Sequence, residues 1–118
     1  MNFTLIGYSE MCFSAMGRGL PEKHGGKFIH VMNYETDMEY IAMSPAELSV
    51  YHAGIAERFM SGQAVTGAYN SKRDYYQIRN PAWDIVGGGM WELDGMEKTV
   101  SFFGRSQAYG FFDPGGPK

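Results

Sequence analysis

Histidine is the side chain best suited to acid–base or nucleophilic work near neutral pH, and this chain has three: His24, His30 and His52. No two stand at the short spacing of a zinc-ligand pair, and the one cysteine, Cys12, cannot complete a ligand set. Glu35, Asp37 and Glu39 alternate, which reads as a solvated strand face or a loop rather than a calcium loop. The expectation is chemistry without a metal or an organic cofactor. Gly17-Arg18-Gly19 lacks the third glycine of a dinucleotide fingerprint and opens no helix. A Gly-x-Ser-x-Gly elbow and a phosphate loop ending in Gly-Lys-Ser/Thr are absent as well. Three features remain: His52, the glycines 87–89, and the loop Gly104-Arg105-Ser106-Gln107-Ala108-Tyr109-Gly110. Successive backbone N–H groups beside a hydroxyl and a guanidinium make that loop either an anion-binding nest or a hairpin turn with a solvated arginine. His52 is either a half-buried packing residue or a catalyst.

The elements that must position these groups are partly signposted. Ser44-Pro45-Ala46-Glu47 has the order of an N-cap, a proline at the first helical position and a capping-box glutamate. Leu48, His52, Ile55 and Phe59 follow at helical spacing with Tyr51 beside them, and Gly62 is a stop, so the pattern predicts a helix over 45–61. KFIHVMNY (27–34) reads as a strand with Phe28, His30, Met32 and Tyr34 on one side and Ile29 and Val31 on the other. Residues 83–86, 90–93 and 97–103 are further strands, with a turn at Asp94-Gly95; 3–8 and 75–79 are weaker ones. Met16–Gly26 reads as a loop and 113–118 as a disordered tail. The sum is one α/β or α+β domain over 1–118, a mixed central sheet packed with one or two helices.

Composition narrows the function classes. With 118 residues, 44% hydrophobic and 19% charged, the chain reads as a globular domain rather than a disordered one. A net charge of −3 with mixed signs argues against a nucleic-acid module. No run has the roughly 18 apolar residues of a membrane helix. The N-terminus lacks the pattern of a secretory signal, and one cysteine offers no disulfide framework, so a cytoplasmic location is expected. Sixteen glycines, clustered at 17–19, 25–26, 87–89 and 104–116, mark tight turns or close backbone approach.

Taken in order, the pieces form a set: Lys27 opening a strand, Tyr51-His52-Ala53-x-Ile55 on a helix, Gly87-Gly88-Gly89, then a strand into Gly104-x-Ser106-x-Ala108-Tyr109-Gly110. That succession, over about residues 27–112, resembles the protein phosphohistidine phosphatases of the Janus family. The resemblance implies a small α/β domain, a metal-independent phosphatase, and a phosphorylated protein or small phosphoamidate as substrate. It implies His52 as the catalytic group, with Tyr51 beside it in the motif as a substrate-binding residue. Lys27, Ser106 and Ala108 would hold phosphate oxygens, the last two chiefly through backbone N–H groups, while Gly87 and Gly89 let backbone approach the pocket. The chain departs from the family pattern at Met90, where an arginine is usual, and before the helix, where Met43-Ser44-Pro45 replaces another arginine. Arg105 is the residue placed to supply part of that charge. The segment Thr66–Pro81 is longer than the family's, and the helix expected after the last loop is missing. Two other classes stay open: a phosphate- or phosphoprotein-binding module without turnover, and an interaction protein using nine methionines and 15% aromatic residues as a contact surface.

Overall fold

Two sets of apolar side chains, pointing to opposite sides of one strand, organise the molecule. In β2 (Lys23–Asn33), Ile29 and Val31 join one core cluster, while Phe28 joins another with Ile41 and Trp91. Both faces of this strand are therefore covered, as its run of β-branched and aromatic residues demands. The computed structural model describes residues 2–49, 52–70, 75–106 and 110–111, with 2–3, 69–70, 75, 105–106 and 110–111 described through the backbone alone.

The order is β1 (Asn2–Gly7), α1 (Ser9–Ala15), β2, β3 (Met38–Pro45), α2 (His52–Gly62), β4 (Gly67–Asn70), β5 (Tyr75–Ile78), β6 (Trp83–Asp94), β7 (Thr99–Phe103), β8 (Arg105–Ser106) and β9 (Gly110–Phe111). The main sheet runs β1-β3-β2-β6-β9-β8, with β7 also on β6. The β1–β3 and β6–β9 pairs are parallel and the others antiparallel, which makes the sheet mixed and the class α+β. Helix α2 lies on one face, where Ala53, Ile55, Ala56, Phe59 and Met60 meet Ile29, Val31 and Ala42. The β4–β5 hairpin adds Tyr76 to the same cluster. On the other face Phe28, Ile41 and Trp91 pack with Met43, Leu93 and Phe102. Among the described residues no helix is long and apolar enough to cross a membrane.

Several sequence expectations change. The helix expected from residue 45 begins at His52 among the described residues, because Ser44 and Pro45 belong to β3. Pro45 is paired with Gly26, and the Ala46 N–H donates to the Gly25 carbonyl at 3.1 Å. The capping signature still makes one turn, in which Leu48 and Ser49 N–H groups donate to the Pro45 carbonyl. The Ser44 hydroxyl donates to Ser49 Oγ at 2.9 Å instead of capping a helix. At the other end Ala64, not Gly62, takes the left-handed conformation, φ 56°. The Val65 N–H returns to the Met60 carbonyl and Ala64 N–H to Ser61, which closes the helix.

The strands expected at 83–86 and 90–93 are one twelve-residue strand, since the glycine triplet stays in the ladder opposite Phe28, Ile29 and His30. Lys23–Gly26 extends β2 rather than lying in a loop, so Lys27 is mid-strand and does not open it. Seven residues at 9–15 form α1, which the sequence reading did not anticipate. The segment 113–118 lies outside the described residues.

Candidate functional site

Lys27 shares the face of Ile29, two residues on, and so points to the side of the sheet that α2 covers. Its register partners are Ser44 on β3 and Met90 on β6. Trp91, on the opposite face, fastens this backbone: its indole N–H is shared between the Lys27 and Ser44 carbonyls, 3.1 Å from each. A buried indole must find an acceptor, and here the acceptor is the strand pair that carries the lysine.

His52 is the first described residue of α2, with 8% of its surface exposed. Its Nε2 lies 2.9 Å from the Gly89 carbonyl oxygen. A carbonyl oxygen only accepts, so Nε2 carries the proton, and the neutral ring keeps its lone pair on Nδ1. The glycine is required at 89 for space: a Cβ there would lie 2.5 Å from the Phe103 carbonyl oxygen and 3.1 Å from the Phe28 ring. Any side chain would push the strand away and carry the carbonyl that orients His52 with it.

The triplet also anchors the last loop. Gly88 pairs with Phe111 of β9, and β9 pairs with β8, so that Arg105 stands opposite Phe111 and Ser106 opposite Gly110. Gly104, at φ 75°, makes the corner between β7 and β8 beside Met90, a conformation that disfavours any residue with a Cβ. The backbone thus brings His52, Gly89, Lys27 and the start of the Arg105–Ser106 segment to one part of the sheet. Gly87 lies one step further along, opposite His30. The expected contributions of Tyr51 and Ala108 fall on residues outside those described. Met90 is 41% exposed, between Lys27 on one side and Phe103 on the other.

Along the same face, beyond Met90, Lys23, Glu92, Asp94, Thr99 and Ser101 line a cavity of about 420 Å³. The Glu97 and Met96 N–H groups donate to Asp94, and Lys23 lies 3.6 Å away. The Glu97 hydrogen bond, ahead of Lys23, holds the Asp94 carboxyl below its usual range.

The other two histidines are placed elsewhere. His30 meets Glu39 at 2.7 Å, and both are buried. Glu39 is therefore not part of the solvated series read from its spacing with Glu35 and Asp37; its partner on the neighbouring strand was invisible in linear order. Glu39 Oε2 has no hydrogen-bond partner among the described residues. His24 lies on the face of Trp91, in edge-on contact with that ring and with Phe13. No three His, Cys, Asp or Glu side chains among the described residues converge as metal ligands. Trp91 is the positioning residue the sequence reading missed; its alternation with Met90 and Glu92 signalled a core face, but not its acceptors.

Compared with family models, curated proteins and solved structures, the chain matches none of them.

Proposed function

We propose that the chain is a metal-independent phosphatase for phosphohistidine or a small phosphoamidate, with His52 as its catalytic residue. The observation that carries this reading is the hydrogen bond from His52 Nε2 to the Gly89 carbonyl, which sets the orientation and tautomer of the ring. The ordered resemblance of residues 27–112 to the Janus-family phosphatases supports it.

In this reading Nδ1 either attacks phosphorus, forming a phospho-His52 that water then hydrolyses to phosphate, or takes a proton from the attacking water. The substrate's P–N bond breaks as the leaving nitrogen takes a proton, from solvent in the first case and from the imidazolium in the second. An unperturbed imidazole titrates near pH ~6.5, so the neutral form is plentiful at neutral pH. Lys27, on this side of the sheet, and the Arg105–Ser106 strand that pairs through β9 to Gly88 would offset charge on the phosphoryl oxygens.

Phosphate release from phosphoramidate and from a phosphohistidine peptide, in chelator, tests the proposal. Wild type is expected to turn over both, and His52→Ala to lose at least about 10³-fold, of the order that acid–base groups contribute. Equal rates in the two proteins would overturn it. Exposed Met90 favours a second reading, a phosphate-binding module without turnover, since an apolar side chain stands beside Lys27 where a guanidinium would assist capture. Phosphate binding by folded wild type, with no hydrolysis, is the outcome expected of that module.

A further inference from the structure

On the face of the sheet away from α2, a serine and a histidine are arranged as a nucleophile and its base. His24 Nδ1 lies 3.2 Å from the Pro21 carbonyl oxygen, and Nε2 lies 3.0 Å from Ser9 Oγ. The carbonyl can only accept, so Nδ1 holds the proton. In the neutral ring Nε2 must then accept from the serine hydroxyl. This is the geometry in which an imidazole draws the proton from an attacking oxygen, with the base oriented by a third group. The ring is held on its apolar sides as well, edge-on to Phe13 at 5.6 Å and to Trp91 at 5.2 Å between centroids.

The pair opens into a cavity. Ser9 and His24 line a space of about 360 Å³ whose other walls are mostly apolar: Leu20, Pro21, Met43, Trp91 and Leu93 among them. That volume lies at the lower end of small-ligand pockets. Its walls offer little to a charged or sugar-like molecule. Leu20 is more than half exposed and forms the outer lip.

We propose that Ser9 and His24 form a second reactive site, in which Ser9 takes the acyl group from esters of apolar acids. Ser9 Oγ bonds to the ester carbonyl carbon while its proton passes to His24 Nε2. The bond to the alcohol oxygen then breaks, and that oxygen takes the proton from Nε2. Water attacks the acyl-serine in turn, giving a proton to Nε2 that returns to Ser9 as the acid departs. Ester and water become acid and alcohol, and no other reactant is consumed. Neither Ser9 nor His24 has a role in the phosphate chemistry, so either activity can fail without the other, although Trp91 packs on His24 and also holds the strand that carries Lys27.

The test treats the full chain with a fluorophosphonate probe, maps the adduct by mass spectrometry, and follows hydrolysis of p-nitrophenyl acetate and octanoate against pH. One adduct per chain is expected, on Ser9. Hydrolysis should favour the octanoate and rise with pH along a single histidine titration. Ser9→Ala should lose the adduct and about 10²-fold or more in rate. His24→Gln should lose the pH limb while keeping the native circular dichroism. Leu20→Trp, which fills the lip, should shift preference to the acetate. Ser9→Cys gives a reading independent of the His24 substitution: its thiol should be alkylated at pH 6 about tenfold faster than free cysteine, whose pKa of about 8.5 keeps it protonated there. No adduct on folded wild type, an adduct elsewhere, or alkylation of Ser9→Cys no faster than free cysteine would each overturn the proposal.

Discussion

His52 on one face of the sheet and His24 on the other are each tied to a backbone carbonyl, but through opposite nitrogens. Gly89 receives the Nε2 proton of His52, and Pro21 receives the Nδ1 proton of His24. The neutral rings are therefore opposite tautomers, with the lone pair on Nδ1 in one and on Nε2 in the other. His30, the third, is tied to the Glu39 carboxylate inside the sheet, where a charged partner replaces the carbonyl. Residue type alone treats the three alike. What separates them is the acceptor that the fold presents to each ring: the Gly89 carbonyl, the Pro21 carbonyl or the Glu39 side chain.

The carbonyls themselves are held by different means, and this gives ways to break the comparison. Gly89 sits in the middle of β6, packed so closely by Phe103 and Phe28 that a Cβ has no room. Gly89→Ala should displace its carbonyl, cutting phosphoramidate turnover by about 10²-fold, the scale of a misplacement near 1 Å, and destabilising the fold by roughly 1–3 kcal/mol. Turnover assays beside urea denaturation check both. A smaller effect, of opposite sign, is expected from Met90→Arg: a guanidinium beside Lys27 should raise kcat/KM for phosphoramidate about tenfold, the worth of one charged hydrogen bond. Steady-state kinetics would show it.

Trp91 is the element the two faces share, since its ring packs on His24 while its N–H holds the strand under Lys27. Trp91→Phe keeps an aromatic ring but leaves two carbonyls short of a donor, so a loss of about 1–3 kcal/mol is expected in urea denaturation. Both activities should fall with it. The smallest effect concerns the turn after β6. The folded Asp94 carboxyl titrates below its ordinary value, so its stabilisation is complete above the unfolded pKa and is lost as pH falls through the lowered one. Thermal melts of Asp94→Asn should show a flatter acid limb than wild type, with little change at neutral pH.

Local periodicity made β2 legible: alternate residues of 27–33 do serve two separate clusters. It also exposed the apolar face of α2 through Ile55 and Phe59. Its start was misread because Ser44-Pro45-Ala46-Glu47 satisfies a helix N-terminus locally, whereas pairing of Pro45 with Gly26 claims the same residues for the sheet. The stop drawn at Gly62 falls where α2 ends, but the left-handed position lies two residues on, at Ala64, which carries a Cβ. A seven-residue helix such as α1, which buries Cys12 and Phe13, is too short for periodicity to establish. In the candidate site, His52, Lys27 and the glycines were legible as an ordered set. Only Pro21, which selects the His24 tautomer, is close in sequence. The acceptor that selects the His52 tautomer stands 37 positions away, and 15 positions separate Ser9 from His24. Such distances leave no local pattern to read.

Long-range proton–nitrogen NMR on histidine-labelled protein at pH 8 reads the two tautomers in one spectrum. The structure predicts His52 with its proton on Nε2 and His24 with its proton on Nδ1. Finding both rings in the same tautomer, or the two assignments exchanged, would contradict the account.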